Sequence, residues 1–203
     1  EKRTYDVLVI GGGINGTAIA RDAALRGMET ALIEKDDFGY GTSSRSTRLI
    51  HGGLRYLELF DFYQVREGLR ERELLLRQAP HVVTPLPFIA PIYRGGRSSR
   101  WTVKIGMILY DLLSWDKSLP NHRSLSKKEL LELEPGLNPS DLLAGTIYYD
   151  AQCELPERLC VEHAMAAAMK GADVANHVEA VAVDLKGDVK RVQVIDRLND
   201  QSY

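Results

Sequence analysis

Cysteine is scarce in this chain of 203 residues: Cys153 and Cys160 are the only two. That is too few for a disulfide framework, so a reducing compartment is the simpler reading, with a single bridge between them left open. Cys160 and His163 can share a helix face as metal ligands, but no second pair has suitable spacing, and no metal is expected. An excess of one charge is also missing. Lys and Arg total 26, Asp and Glu 28, for a net charge of −2. The basic footprint of a nucleic-acid binder is therefore absent. No apolar run approaches the roughly 18 residues that a membrane-crossing helix needs, and the apolar stretch near the N-terminus is too short for a signal-peptide core. A cytoplasmic protein is the resulting expectation. Internal repeats and low-complexity tracts are lacking as well.

What is present is an ordinary globular balance, 44% hydrophobic and 27% charged, sufficient for a sizeable core. Residues 5–10 (YDVLVI) read as a short buried strand, 14–26 as an alanine-rich helix closed by Gly27, and 30–34 (TALIE) as a second buried strand. Strand, helix and strand in so short a span make a βαβ unit, hence a parallel pair with a right-handed crossover. Residues 35–53 lack periodicity and are rich in Gly, Ser, Thr and Arg; a loop this long inside a domain is usually functional. An amphipathic helix is expected over 62–78, and proline-rich edge strands or extended chain over 82–93. A helix is expected over 101–115, and a capping box at Ser126 and Glu129 opens another. A strand is expected over 145–149 and a helix from Pro156 to about Lys170. Two strands, 174–183 and 189–197, would be joined by a turn at Lys186-Gly187-Asp188.

Gly11, Gly13 and Gly16 form G-x-G-x-x-G between the first strand and the first helix. The first glycine permits the tight turn, the second lets backbone approach a pyrophosphate, and the third lets helix and strand pack closely. The helix N-terminus then presents N–H groups and a favourable dipole to the anion. Glu34 ends the second strand, where a carboxylate accepts hydrogen bonds from ribose hydroxyls and repels a 2′-phosphate, which argues against NADP. The glycine motif by itself does not choose between FAD and NAD, and a glycine-rich turn that binds nothing is the plain alternative.

The segment 41–58, GTSSRSTRLIHGGLRYLE, supplies hydroxyls (Thr42, Ser43, Ser44, Ser46, Thr47), a Gly52-Gly53 pair and Arg55. Hydroxyls and free amides suit a pyrophosphate or the edge of a flavin ring, adjacent glycines let backbone lie flat on a planar group, and a guanidinium fork suits phosphate or carboxylate.

With VIGGGINGTAIARDAA, TSSRSTRLIHGGLRYLE, RERELLLRQAPH, IGMILYDLLS and YYDAQ, the sequence resembles the FAD-dependent glycerol-3-phosphate dehydrogenases and related α-glycerophosphate oxidases over roughly residues 5–183. The resemblance implies an α/β fold: a Rossmann-like FAD-binding domain of the amino-acid-oxidase-like flavoprotein superfold, with part of an inserted α+β substrate domain. On that reading 1–80 hold the βαβ core and flavin loop, 81–150 begin the substrate domain, and 151–203 return to the FAD domain. The resemblance also implies the cofactor residues. Gly11, Gly12, Gly13, Ile14, Asn15, Gly16, Glu34 and Lys35 would hold the ADP half of FAD. Thr42, Ser43, Ser44 and Ser46 would contact pyrophosphate and ribityl chain. His51, Gly52, Gly53 and Leu54 would lie beside the isoalloxazine, and Ala180 would place backbone against adenine. Arg55 would bind the substrate anion. His51 is a candidate base, with a purely cofactor-bonding role as the alternative.

The implied reaction oxidises sn-glycerol 3-phosphate to dihydroxyacetone phosphate, with electrons passed to a quinone or to oxygen. Members of the family are longer than this chain, so it reads as an N-terminal fragment. The stretch QCELPERL departs from the Asp-Ala-Arg-Leu pattern expected there. Two other functions stand beside this one: an amino-acid or amine oxidase of the same superfold, and a non-catalytic nucleotide-binding module. Finally, Arg97, Arg100 and Lys104 lie at or near the start of a helix with Trp101, Ile105, Ile108, Leu112 and Trp115 on one face. Such a face either lies on an anionic bilayer or packs as core beneath a solvated basic end; the core reading is the preferred one.

Overall fold

The computed structural model describes residues 3–96 and 99–203. In chain order the elements are β1 (Val7–Ile10), α1 (Ile14–Leu25), β2 (Thr30–Ile33), β3 (Leu49–Ile50), α2 (Leu54–Leu57), α3 (Phe62–Gln78), β4 (Val83–Tyr93) and α4 (Arg100–Leu113). They continue as β5 (Arg123–Ser126), α5 (Lys127–Leu133), β6 (Leu142–Cys153), α6 (Pro156–Met169), β7 (Asp173–Ala175), β8 (Val178–Asp184), β9 (Arg191–Asp196) and β10 (Gln201–Ser202). The chain divides into two units, one made of residues 1–48 and 154–203, the other of 49–153. The dividing point therefore falls inside the hydroxyl-rich loop, and residues 49–80 join the second unit rather than the βαβ core.

In the first unit β1, β2 and β7 form a parallel sheet in the order β1-β2-β7. The βαβ crossover expected from the sequence is present, and α6 leads to the third strand. The core is built from small side chains. Ala20 and Ala24 of α1 meet Ala164 and Ala167 of α6 beside Val9 and Leu32. With only methyl groups between them, two helices approach the sheet and each other closely, which is why this stretch is rich in alanine. β2 is buried throughout, but β1 leaves Leu8 and Ile10 exposed at 37% and 51%. β1 was expected to be fully buried; it is instead an edge strand, with no partner on its outer side among the described residues.

The expected strand 174–183 is two strands. His177, in the left-handed region at φ 57, breaks it. β7 completes the parallel sheet, while β8 pairs antiparallel with β9, and β10 with β9, in a second sheet. Asn176 and His177 interrupt the apolar run there, and a left-handed residue redirects the chain from one sheet to the other.

The second unit is organised on β6, which pairs with β4 on one side and with β3 and β5 on the other, all antiparallel. Only residues 145–149 were expected to form this strand; the observed one runs from Leu142 to Cys153. Pro85, Pro87 and Pro91 of β4 have the same parity, so all three fall where a backbone N–H would point away from β6, the only places an edge strand tolerates proline. α3 has the expected bounds and is capped by Asp61, whose side chain accepts from the Gln64 amide. The Ser126–Glu129 capping box opens α5. Val65 and Leu69 of α3 pack on Tyr110 of α4, with Leu54 and Tyr148 around them.

On α4 the buried residues are Met107 and Tyr110. Trp101, Ile105, Ile108, Leu112 and, just past the helix, Trp115 are exposed at 51–76%. The preferred reading of this stripe as core is thus corrected: helical spacing identifies an apolar face but not whether anything covers it. Arg97, the first of the basic residues assigned to this face, lies outside the described residues.

Candidate functional site

Two groups of the predicted residues are assembled, one in each unit. In the first unit β1 runs into the glycine turn, and the Gly11 amide donates to the Ile33 carbonyl at 2.8 Å. A Cβ on Gly16 would sit 1.9 Å from the Gly11 carbonyl oxygen, a backbone atom that cannot yield. The close packing expected of the third glycine is therefore a steric requirement here. α1 starts at Gly13 without a capping side chain of its own and without an acidic residue in its first turn. Its N-terminus is left electropositive.

Glu34 fastens this turn. Its Oε2 accepts from the Gly12 amide at 2.6 Å and its Oε1 from the Asp36 amide at 2.9 Å. Each carboxylate oxygen retains a lone pair for a further donor. Ser43 reaches the same turn from the hydroxyl-rich loop, its Oγ accepting from the Ile14 amide at 2.9 Å. The loop and the helix N-terminus are thus joined at the point where a phosphate was expected. Asn15 follows Ile14 in the first turn of α1. Ser44 and Ser46 direct their hydroxyls to carbonyls within the loop itself, at 2.9–3.3 Å, and Thr42 is exposed.

Beside the turn lies a cleft of about 280 Å3 lined by Ile10, Gly11, Ile33, Glu34, Lys35, Val178, Glu179 and Ala180. Gly11, Glu34, Lys35 and Ala180, far apart in sequence, are brought together there. Val178 and Glu179 were not anticipated. They arrive because His177 turns the chain and the Val178 amide bonds the Glu34 carbonyl at 2.8 Å. The polar Asn176-His177 pair within an apolar run was the only signal of that bend. An elongated nucleotide suits this arrangement: glycines that a Cβ would clash with, a helix N-terminus with no acidic residue in its first turn, and a carboxylate lining a cleft. These residues fit the ADP half of a dinucleotide.

Behind the turn, Cys160 of α6 is buried, and burial pushes its thiol up despite hydrogen bonds with Ser43 and Thr17. His163 is pushed down by burial and by the charge of Arg21.

In the second unit, β3 leads to the His51-Gly52-Gly53 turn and then to α2. Gly52 and Gly53 are buried; His51 and Arg55 are exposed, with Leu54 between these extremes. The Gly53 amide donates to His51 Nδ1 at 3.1 Å. A neutral imidazole that accepts at Nδ1 carries its proton on Nε2, so its outward nitrogen is a donor. Service as a base through Nε2 would first require the loss of the Gly53 bond. Arg55 forms no ion pair among the described residues, which leaves its guanidinium available to an anion.

Beneath the turn is a buried polar cluster absent from the predicted site. Asp150 of β6 pairs with Arg72 of α3, both fully enclosed. Asp150 also accepts from the Tyr110 hydroxyl at 2.8 Å. Burial, and then the charge of Asp150, push the Tyr110 phenol well up. The fragments RERELLLRQ, ILYDLL and YYDAQ contain these residues, but nothing local shows that they meet.

Residues 6–201 match the family model described as FAD dependent oxidoreductase. The chain is 48% identical over 206 residues to a glycerol-3-phosphate dehydrogenase of Synechocystis sp., covering all of this chain and 37% of that protein. It is 41% identical over 201 residues to an aerobic glycerol-3-phosphate dehydrogenase of Staphylococcus aureus, covering 98% of this chain and 36% of that protein. Among solved structures, the glycerol-3-phosphate dehydrogenase from Bacillus halodurans complexed with FAD superposes with a TM-score of 0.73 at 32% identity, over all of this chain and 32% of that one. The chain thus spans little more than a third of the length of the relatives it matches.

Proposed function

The chain belongs to the FAD-dependent oxidoreductase family, and from that footing we propose that it is the FAD-binding N-terminal portion of an enzyme that oxidises sn-glycerol 3-phosphate to dihydroxyacetone phosphate. The observation that supports the cofactor assignment is the cleft that brings Gly11, Glu34, Lys35 and Ala180 together, with Glu34 bonded to the Gly12 amide of the glycine turn. Gly11, Gly12, Gly13, Ile14, Asn15, Gly16, Glu34, Lys35 and Ala180 hold the ADP half. Thr42, Ser43, Ser44 and Ser46 serve the pyrophosphate and ribityl chain, and His51, Gly52, Gly53 and Leu54 the flavin ring. Bound FAD supplies the acceptor for the hydride that leaves C2. The substrate assignment is supported by the 48% identity to a glycerol-3-phosphate dehydrogenase.

Within this reading the protein's own groups divide the work. Arg55 binds the substrate phosphate through a charge-assisted fork. His51, with Nδ1 held by the Gly53 amide, donates from Nε2 and orients what it touches, while the C2 hydroxyl proton passes to a base elsewhere in the full-length enzyme. A quinone or oxygen takes the electrons onward. The purified full-length enzyme is expected to show the visible bands of oxidised flavin, and these bleach when glycerol 3-phosphate is added without oxygen. Flavin that stays oxidised with glycerol 3-phosphate but is reduced by an amino acid would move the substrate to the amino-acid-oxidase class. Absence of flavin after reconstitution would leave a nucleotide-binding module.

A peripheral membrane contact is part of the proposal. The α4 stripe is exposed along its length, and Lys104 stands 5.6 Å from the Trp101 ring centre, so cationic and aromatic groups share one end of an apolar face. That combination suits an anionic lipid surface. No helix among the described residues is long and apolar enough to cross a membrane.

A further inference from the structure

The His51–Gly53 turn has little structure of its own. β3 before it has two residues and α2 after it four, too few to hold a backbone conformation unaided. Its position comes from below. A Cβ on Gly52 would lie 2.3 Å from Leu69 Cδ2 and 2.5 Å from the Tyr110 hydroxyl, so the backbone is set directly into the packing of α3 and α4. The Gly52 amide is shared between the Tyr110 hydroxyl at 3.1 Å and Asp150 Oδ1 at 3.3 Å. Asp150 Oδ1 thus collects Gly52, Tyr110 and Arg72, and Arg72 also donates to the Tyr149 carbonyl at 3.1 Å.

This arrangement is poor as a device for stability alone. Arg72 is fully buried, yet its Nε and Nη2 have no hydrogen-bond partner among the described residues. A buried ion pair is often no better than apolar side chains of similar volume, and each unsatisfied buried donor keeps its desolvation cost uncompensated. What the pair does provide is a carboxylate fixed in place by Arg72 where its Oδ1 reaches the Gly52 amide.

We propose that Asp150, Tyr110 and Arg72 are positioning residues that hold the Gly52–Gly53 backbone in the conformation that receives the flavin ring. The inference rests on the assignment of His51–Leu54 to the flavin and of the glycine turn to the ADP half. It predicts that damage to the cluster weakens FAD and spares ADP.

The test measures the affinities of the purified chain for FAD and for ADP, in the wild type and in Tyr110→Phe and Asp150→Asn, with thermal melts as a folding control. Tyr110→Phe keeps the ring that packs on Val65 and Leu69 and leaves the Arg72–Asp150 pair intact, so it reports even where Asp150→Asn fails to fold. The expected result is FAD affinity reduced about tenfold with ADP affinity unchanged within about twofold. A loss of both ligands in parallel, or of neither, overturns the proposal. A wild-type chain that binds ADP but gains nothing from the flavin half overturns it and leaves the nucleotide site standing. A wild-type chain that binds neither removes the cofactor assignment and this inference with it.

Discussion

The Gly53 amide donates to His51 Nδ1 at 3.1 Å, so the backbone of one residue fixes the tautomer of another two positions earlier. Nitrogen NMR of the imidazole is expected to show the Nε2–H form of neutral His51. In the full-length enzyme His51→Gln, whose amide still donates, should reduce kcat/KM by less than about tenfold, whereas loss of a general base costs about 10²–10⁴. A loss above a hundredfold would restore His51 as the base.

Glu34 bonds both Gly12 and Asp36 through their amides. Glu34→Gln keeps one acceptor oxygen and loses the charge. FAD and ADP affinities should fall together by about tenfold, with a stability loss of about 1 kcal/mol. Calorimetric titration and a melt measure the two effects, and retention of wild-type nucleotide affinity would displace Glu34 from the site.

Gly16→Ala places a methyl group against the Gly11 carbonyl. The turn must open, and the expected cost is about 1–3 kcal/mol, together with loss of nucleotide binding. Denaturant melts and ADP titration check this; a variant as stable and as tight-binding as the wild type would contradict the geometry.

Asp116 is held at about 2, against an ordinary 3.8, chiefly by hydrogen bonds from Arg66, which reach its two oxygens at 2.6 and 2.8 Å and outweigh burial. Because the folded value is depressed, the pair stabilises the fold above about pH 4 and that contribution disappears as pH falls from about 4 through about 2. Asp116→Asn should be less stable at neutral pH and show a shallower decline over that acid range in urea melts. An identical pH profile would show that the pair contributes nothing.

The exposed α4 face leads to a binding experiment with vesicles. At low salt the chain is expected to bind phosphatidylglycerol vesicles, and Ile105→Ser combined with Leu112→Ser should weaken binding at least about tenfold, since each apolar side chain withdrawn from the interface forfeits about 1.5–3 kcal/mol at full burial. Binding that is indifferent to these substitutions would exclude this face.

Much of the local structure was legible in the sequence because its causes are local. The apolar period of α3 and its proline stop gave its bounds, Ser126 and Glu129 form the cap they spell, and the prolines of β4 declare an edge. The geometry of the glycine turn and the place of Glu34 were readable for the same reason: both depend on neighbours along the strand-turn-helix. Three things were not. The break at His177 depends on which sheet each half joins. Burial of an apolar stripe depends on what lies opposite, which the pattern of α4 does not contain. The meeting of Arg72, Tyr110 and Asp150 is a product of tertiary packing between α3, α4 and β6, and each residue alone reads as an unremarkable member of its element.

The first unit receives the whole of 49–153 between two adjacent points of its own chain. Arg48, in the left-handed region at φ 62, bonds the Glu154 carbonyl at 2.8 Å, and Leu49 pairs with Gln152 immediately beyond. An excursion whose exit and re-entry are neighbours imposes almost no constraint on its host, because the cost of closing a loop grows only slowly with its length. The nucleotide-binding framework can thus remain constant in descent while the excursion is lengthened, trimmed or rebuilt around a different substrate.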